Sequence, residues 1–306
     1  MPKPSLSSQT IQGVLHQRWG TISDFSPLAE GLASQAFGFR HGMADYVVRV
    51  NQSIDGFTKD RFVYRSFAGP DLPIPEVLDI GHLDDTHAFC VSRRMPGVRL
   101  QDMDDAHLSE LIGPTEELVA TIAAADIRGT HGFGRFDATG IGPYARWHDF
   151  LTSITDPQRF DWAQAGRTAH MPTVRTLCCL VAQLAAQCPE ERSLVHGDFG
   201  SYNVLTDGQH ITAVIDWDRA LFGDPLYDVA NLLFWREEHL RPLIERIKQQ
   251  GRTVPNWHER VFCYQLLIGL QEIYDSAIGT GTINLAWLTN RCNAIVEQRA
   301  APERNR

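Results

Sequence analysis

The chain has 306 residues, 43% hydrophobic and 21% charged, with a formal net charge of −9. That length allows one large domain or two lobes with ample core. The charge argues against a nucleic-acid partner, whose binding needs a cationic surface, and no run of about 18 apolar residues offers a membrane helix. An acidic chain does permit cationic ligands, which carboxylate-lined clefts concentrate. The opening MPKPSLSSQT lacks the basic-then-apolar pattern of a secretory signal. Six cysteines, at 90, 178, 179, 188, 263 and 292, form no C-x-x-C pair and no zinc-ligand spacing. A cytoplasmic protein with free thiols is the expectation.

Up to about residue 95 short strand patterns dominate. FGFRH, DYVVRV, PEVLDIG and HAFCVSRR alternate or run β-branched between turn residues. One helix interrupts them: GFTKDRFVYRSFAG places Phe57, Arg61, Tyr64 and Phe67 at intervals of three and four. Beyond MPG at 95–97 long helical patterns take over, marked by Leu108 to Ile122, Val174 to Leu184 and Val261 to Ile273. Between the last two, NVLTDGQHITAVIDW reads as a hairpin turning at TDGQ. The expected architecture is α+β and bilobal. A small antiparallel-sheet N-lobe spans 1–94, a hinge lies at about 93–98, and a larger, mainly helical C-lobe spans 95–306. A ligand cleft between the lobes is the natural expectation.

The stretch LVHGDFGSYNVL at 194–205 contains D-F-G, the magnesium tripeptide of protein kinases, and also H-x-D-x-x-x-x-N, the spacing of a kinase catalytic loop. Asp198 belongs to both and cannot serve both roles. The D-F-G reading needs a catalytic loop upstream, but TLCCLVAQLAAQCPEERS offers no H-x-D and no Asn. The other reading is complete. Asn203 lies five positions after Asp198, and Asp216 lies 18 positions after it, behind the apolar strand ITAVI. In the kinase template the first Asp accepts the substrate hydroxyl's proton, while the Asn and the second Asp hold magnesium on the nucleotide phosphates. An ordinary carboxylate is ionised at neutral pH and can accept a proton. Magnesium prefers hard oxygen donors and takes few from the protein. Asp198 is therefore the expected base, and Asn203 and Asp216 the expected metal ligands, with His196 structural. Asp224 before Pro225 reads as a helix cap, with Asp228 on the same helix face.

LVHGDFGSYNVL, ITAVIDWDRALFGDPLYDVANL and the hinge SRRMPG resemble the aminoglycoside phosphotransferase family. Further stretches, among them ASQAFGFRHG, DYVVRVN, DGFTKDRFVYRSFA, LPIPEVLDIG and ANLLFWR, extend the likeness from about residue 5 to about residue 298 and narrow it to the family's hygromycin B branch. The resemblance implies a protein-kinase-like fold. It implies transfer of the γ-phosphate of ATP, with GTP left open, using magnesium, to a hydroxyl of a cationic aminocyclitol antibiotic, hygromycin B foremost, by a monomer. The same fold acting on another hydroxylated amine, or a nucleotide-binding pseudoenzyme, stand as alternatives. The intact Asp198, Asn203 and Asp216 argue against the pseudoenzyme.

By that resemblance the hinge backbone around Arg93 and Met95 receives adenine, and Asp228 braces the catalytic loop. The chain departs from the general kinase pattern in two places. It has no G-x-G-x-x-G, so the nucleotide loop is expected in EGLASQAFGF, with Gly31 and Ser34 toward phosphate. Arg49 stands where a lysine usually does, and Asp60 where a glutamate pairs with it; a cation–carboxylate pair is kept, and an arginine forks well onto phosphate oxygens. The acceptor is expected beside Asp198 and Tyr202, walled by Asn231, Trp235, Glu237, Glu238, Glu272, Tyr274 and Asp275. Carboxylates and aromatic faces there suit ammonium groups.

Overall fold

The computed structural model describes residues 4–28, 34–251 and 253–300. The chain forms two compact units, neither continuous in sequence. The first takes Met1–Thr121, Asp137–Gly140 and Ser201–Arg219, and the second Ile122–Phe136, Ile141–Gly200 and Ala220–Arg306. The first unit opens with α1 (Ser8–Trp19), β1 (Ser23–Pro27), β2 (Gln35–His41), β3 (Ala44–Asn51), α2 (Asp55–Phe67), β4 (Val77–His82), β5 (Ala88–Arg93), β6 (Val98–Arg99) and α3 (Asp105–Ala123). The second contributes β7 (Gly134–Arg135), α4 (Trp147–Thr152), α5 (Trp162–Ala165), α6 (Met171–Ala185) and β8 (Ser193–Val195). The chain returns to the first for β9 (Val204–Thr206) and β10 (Ile211–Val214). It ends in the second with β11 (Leu221–Gly223), α7 (Leu226–Trp235), α8 (Arg241–Gly251), α9 (Trp257–Ala277) and α10 (Leu285–Ala300).

In the first unit five antiparallel strands line up as β1-β2-β3-β5-β4. Strand alternation sorts β3 into two faces. Tyr46, Val48 and Val50 are buried against Ile11 and Leu15 of α1, together with Phe37, Phe39 and Val91. Arg49, out of phase with them, pairs in register with Cys90, which is buried with Phe57 of α2 on the other face. The sequence patterns did not anticipate α1. Its apolar residues are few, and it starts where the Ser7 hydroxyl accepts the Thr10 N–H at 3.1 Å.

Sequence patterning divides the lobes at 94/95, whereas the first unit runs on through Thr121 and takes back 201–219. Three contacts within the unit explain this. β6 pairs with β9, Val98 opposite Thr206, and the Thr212 hydroxyl donates to the Pro96 carbonyl at 2.6 Å. Gly97, at φ 100°, lies so close to the Thr206 carbonyl that any Cβ would overlap it. The hinge segment and the 203–216 hairpin are thereby one body.

The second unit is built on α9, whose inward face (Val261, Tyr264, Leu267, Ile268) is buried with Val174, Leu177 and Val181 of α6, Ala230 and Phe234 of α7, and Leu288 and Cys292 of α10. Each such side chain contributes about 1.5–3 kcal/mol when fully buried. A three-stranded sheet, β7-β11-β8, lies at its edge. No helix among the described residues is long and apolar enough to cross a membrane.

Candidate active site

Within the first unit β9 and β10 form the hairpin read from NVLTDGQHITAV, with Val204 opposite Val214. Asn203 precedes β9 and Asp216 follows β10. The Ile215 N–H donates to the Asn203 carbonyl at 2.9 Å, so the two expected ligands sit side by side at the hairpin's open end. Asn203 is buried; the Asp216 side chain is 51% exposed. Asp216 has φ 66°, a left-handed conformation uncommon outside glycine, asparagine and aspartate. Such strain persists only where the surroundings over-determine it.

The surroundings here come from α2. Asp60, buried, accepts the Trp217 N–H at 3.0 Å and forms a short ion pair with Arg49. Buried Lys59 donates from Nζ to the Asp218 carbonyl at 2.8 Å, a contact the sequence reading did not include. Arg49 Nη1 is also 3.8 Å from Asp216 Oδ1, and its guanidinium lies 5.3 Å from the centre of the Phe57 ring. Burial opposes the charge on Arg49, but the Asp60 carboxylate raises its pKa above the usual arginine value. The structure thus brings Arg49, Asp60, Asn203 and Asp216 into one cluster with a fixed cation beside a half-open carboxylate.

The donor set fits a magnesium ion. It offers one amide oxygen and one exposed carboxylate, both hard donors, and phosphate and water complete such a shell. No group of three or more His, Cys, Asp or Glu suited to a metal occurs among the described residues. A nucleotide-dependent site of this kind needs none.

The hinge amides differ in availability. The Arg93 N–H donates to Glu76 O at 2.8 Å and the Arg94 N–H to Asp45 O at 3.1 Å, while the Arg93 side chain packs over Tyr46. The Met95 N–H has no hydrogen-bond partner among the described residues, so of the two expected hinge positions Met95 keeps its donor available. Ser34 is half-buried just before β2. Gly31 lies outside the described residues.

In the second unit, Asp198 ends a tightly held loop. Asp228 of α7 accepts the His196 N–H at 2.9 Å and the Gly197 N–H at 2.8 Å. The Asp198 N–H donates to His196 Nδ1 at 3.3 Å. His196 is fully buried and positions the loop. Burial pushes the Asp228 carboxyl up to about 7, against the two amide hydrogen bonds that favour its anion, and the charge of Asp198 adds to the rise. The loop continues into α7's territory: Asn231 Nδ2 donates to the Phe199 carbonyl at 3.3 Å, and Trp235 Nε1 donates to Asn231 Oδ1 at 3.1 Å. Phe199, the middle letter of D-F-G, is core.

The other expected acceptor residues are spread more widely. Tyr202 is half-buried in the first unit. Glu237 is half-buried and Glu238 exposed just beyond α7. Glu272 is buried in α9. The Tyr274 hydroxyl accepts the Asp161 N–H at 3.1 Å, and its ring meets Phe160 and Trp162 edge-on. The Asp275 carbonyl accepts the N–H groups of Thr280 and Gly281. Asn231 bonds the catalytic loop directly, and Trp235 is tied to it through Asn231. Asp224 takes the Leu226 N–H at 3.0 Å, in keeping with its reading as a cap. It also holds Arg260, Nε at 2.7 Å and Nη2 at 2.8 Å, a partner 36 residues away that no local spacing announces.

The family model of the phosphotransferase enzyme family matches residues 24–262. Hygromycin-B 4-O-kinase of Escherichia coli is 43% identical over 98% of this chain and 88% of its own length. Among solved structures, the crystal structure of aminoglycoside phosphotransferase APH(4)-Ia superposes with a TM-score of 0.88 at 41% identity, over 96% of this chain and all of that one. A thermostable mutant of that enzyme, in ternary complex with AMP-PNP and hygromycin B, superposes with a TM-score of 0.84 at 43% identity, again over 96% of this chain and all of that one.

Proposed function

This chain belongs to the phosphotransferase enzyme family and has its kinase-like fold, and we propose that it transfers the γ-phosphate of ATP to a hydroxyl of hygromycin B and so confers resistance to it. The observation that carries the reading is the near full-length identity of 43% with a hygromycin-B 4-O-kinase. The relative solved with AMP-PNP and hygromycin B together supports both substrates, with ATP as the donor of choice and GTP as a donor to test beside it.

Each group then has a task. Arg49, held by Asp60, neutralises phosphate oxygens. Asn203 and Asp216 would hold magnesium, which when bound offsets phosphate charge. Asp198, on a loop clamped by Asp228, accepts the proton of the attacking hydroxyl. Met95 offers its amide to the adenine edge, and Ser34 its hydroxyl to phosphate. Asn231 and Trp235 form part of the acceptor wall. All six cysteines are free, which fits a cytoplasmic enzyme, and a monomer suffices for this chemistry.

The test is incubation with ATP, magnesium and a panel of aminocyclitols, read by mass spectrometry. A gain of one phosphoryl group on hygromycin B is expected. No gain on any acceptor would overturn the proposal.

Arg49 gives a second expected result. Arg49→Ala removes the phosphate-facing cation and leaves Asp60 without its ion-pair partner, so KM for ATP should rise about tenfold or more, in line with the 1.5–3 kcal/mol of a hydrogen bond to a charged group. Arg49→Lys restores a point charge without the fork and should fall between. Unchanged ATP kinetics in Arg49→Ala would remove Arg49 from the nucleotide site.

A further inference from the structure

Trp287, in the first turn of α10, was not among the residues singled out in the sequence. It is the aromatic residue most exposed among the large hydrophobic side chains of the described chain, at 41%. A lone exposed tryptophan is unremarkable, but this one is held in place on several sides. Its backbone N–H donates to the side-chain oxygen of Asn284, which caps the helix, at 3.0 Å. Its ring stacks parallel on Trp235, 5.7 Å between centroids with 4° between planes, and meets Phe234 edge-on at 6.4 Å.

One turn further along α10, Arg291 lies on the same face. It donates to the Phe234 carbonyl at 2.7 Å and the Leu233 carbonyl at 2.5 Å. It is thus a buried cation at the C-terminus of α7, where the helix dipole favours positive charge. Gly269 of α9 permits this approach, since a Cβ there would collide with Cys292 of α10 and crowd Phe234. α10 is therefore docked on the end of α7 by a guanidinium and a ring stack.

The stack leads to the catalytic loop through an unbroken series of direct contacts. Trp287 lies on Trp235, Trp235 Nε1 bonds Asn231, and Asn231 bonds the carbonyl of Phe199, the residue after Asp198. All of these belong to the second unit. We infer that Trp287 is a specificity-determining residue that contacts the acceptor, its indole face receiving an ammonium-bearing, polyhydroxylated ring. With the Trp235 N–H already engaged, what the pair offers is aromatic surface. Tryptophan presents the strongest such surface to a cation. Sugar rings add apolar C–H faces that an indole covers.

This inference rests on the proposed acceptor chemistry, and the experiment separates the two. Steady-state kinetics with hygromycin B and ATP are measured for the native enzyme, Trp287→Ala and Trp287→Phe, with thermal midpoints recorded for each. Trp287→Ala should raise KM for hygromycin B about tenfold, with kcat and the KM for ATP within about twofold of native. Trp287→Phe, which keeps a ring and the packing, should fall between. A merely structural role would disturb both substrates, or kcat, and would track the thermal midpoint. Hygromycin B added without nucleotide should also quench tryptophan emission in the native protein, and less in Trp287→Phe. If the native enzyme phosphorylates hygromycin B and Trp287→Ala keeps its native KM for it, the inference on Trp287 is overturned and the function stands. If the native enzyme does not act on hygromycin B, both fall together.

Discussion

Asp198→Ala is expected to lower kcat about 10²–10⁴-fold, the usual contribution of a general base, while ATP and hygromycin B still bind. This corresponds to about 3–5.5 kcal/mol of transition-state stabilisation. The two effects separate because the loop is held from other residues. Its geometry comes from Asp228, which grips the His196 and Gly197 amides, and from the buried His196 ring beneath the Asp198 amide. Truncation at 198 should leave those contacts standing. Asp198→Asn is the sharper companion, since it keeps the size and one acceptor oxygen but cannot take up a proton at neutral pH. Turnover of both variants, with nucleotide and acceptor affinities by calorimetry, tests the assignment. A kcat within about threefold of native in either variant would mean that positioning and charge neutralisation carry the reaction without a base at 198.

The second large effect concerns stability. Arg260→Met should cost about 3–5 kcal/mol, because it leaves a buried carboxylate without its counter-charge. Asp224 is fully buried and Arg260 is 3% exposed. The guanidinium holds Asp224 through two nitrogens, and the Tyr264 hydroxyl donates to the same carboxylate at 2.5 Å while accepting from Trp147 Nε1 at 3.1 Å. Burial opposes the charge on Arg260, and Asp224 more than offsets it, so its pKa rises. The contact of Arg260 with Glu191, whose side chain is 52% exposed, adds little. A loss of that size should lower the thermal midpoint by about 10 °C. Asp224→Asn in the Arg260→Met background should cost at least 1 kcal/mol less than it does alone, as expected for coupled neighbours in a double-mutant cycle. A midpoint shift below about 2 °C for Arg260→Met, or strict additivity, would show that the network is not what secures the α7–α9 contact.

The parts of this protein legible in its sequence are those written in local periodicity or in short fixed spacing. β2 to β5 and α2 follow the alternations and the three-and-four spacings, and α3, α6, α9 and the 204–214 hairpin lie where their apolar patterns put them. The positions of Asn203 and Asp216 on that hairpin follow from the same pattern. What escaped detection depends on contacts across long separations. Arg260 finds Asp224 36 residues away, Lys59 finds Asp218 after 159, and Arg291 finds Phe234 after 57. None of these residues stands out among 28 lysines and arginines. The unit boundary was hidden for the same reason. Helical periodicity begins after 97, but the hinge strand pairs with residues 205–206, and pairing rather than periodicity decides which body a segment joins. Trp287 belongs to no spacing or motif in the sequence, and only the ring it stacks on gives it meaning.

The left-handed backbone at Asp216 has an evolutionary consequence. Two independent filters act on that one codon. Conformation admits comfortably only glycine, asparagine and aspartate, and of these only aspartate also carries the anionic oxygen beside Arg49. Glutamate retains the charge but lacks the short side chain that suits the turn, and asparagine suits the turn but lacks the charge. Drift therefore has no neutral neighbour to visit at this position. A lineage that abandons phosphoryl transfer would be expected to show it first here, by turning to asparagine or glycine while the surrounding fold stays as it is.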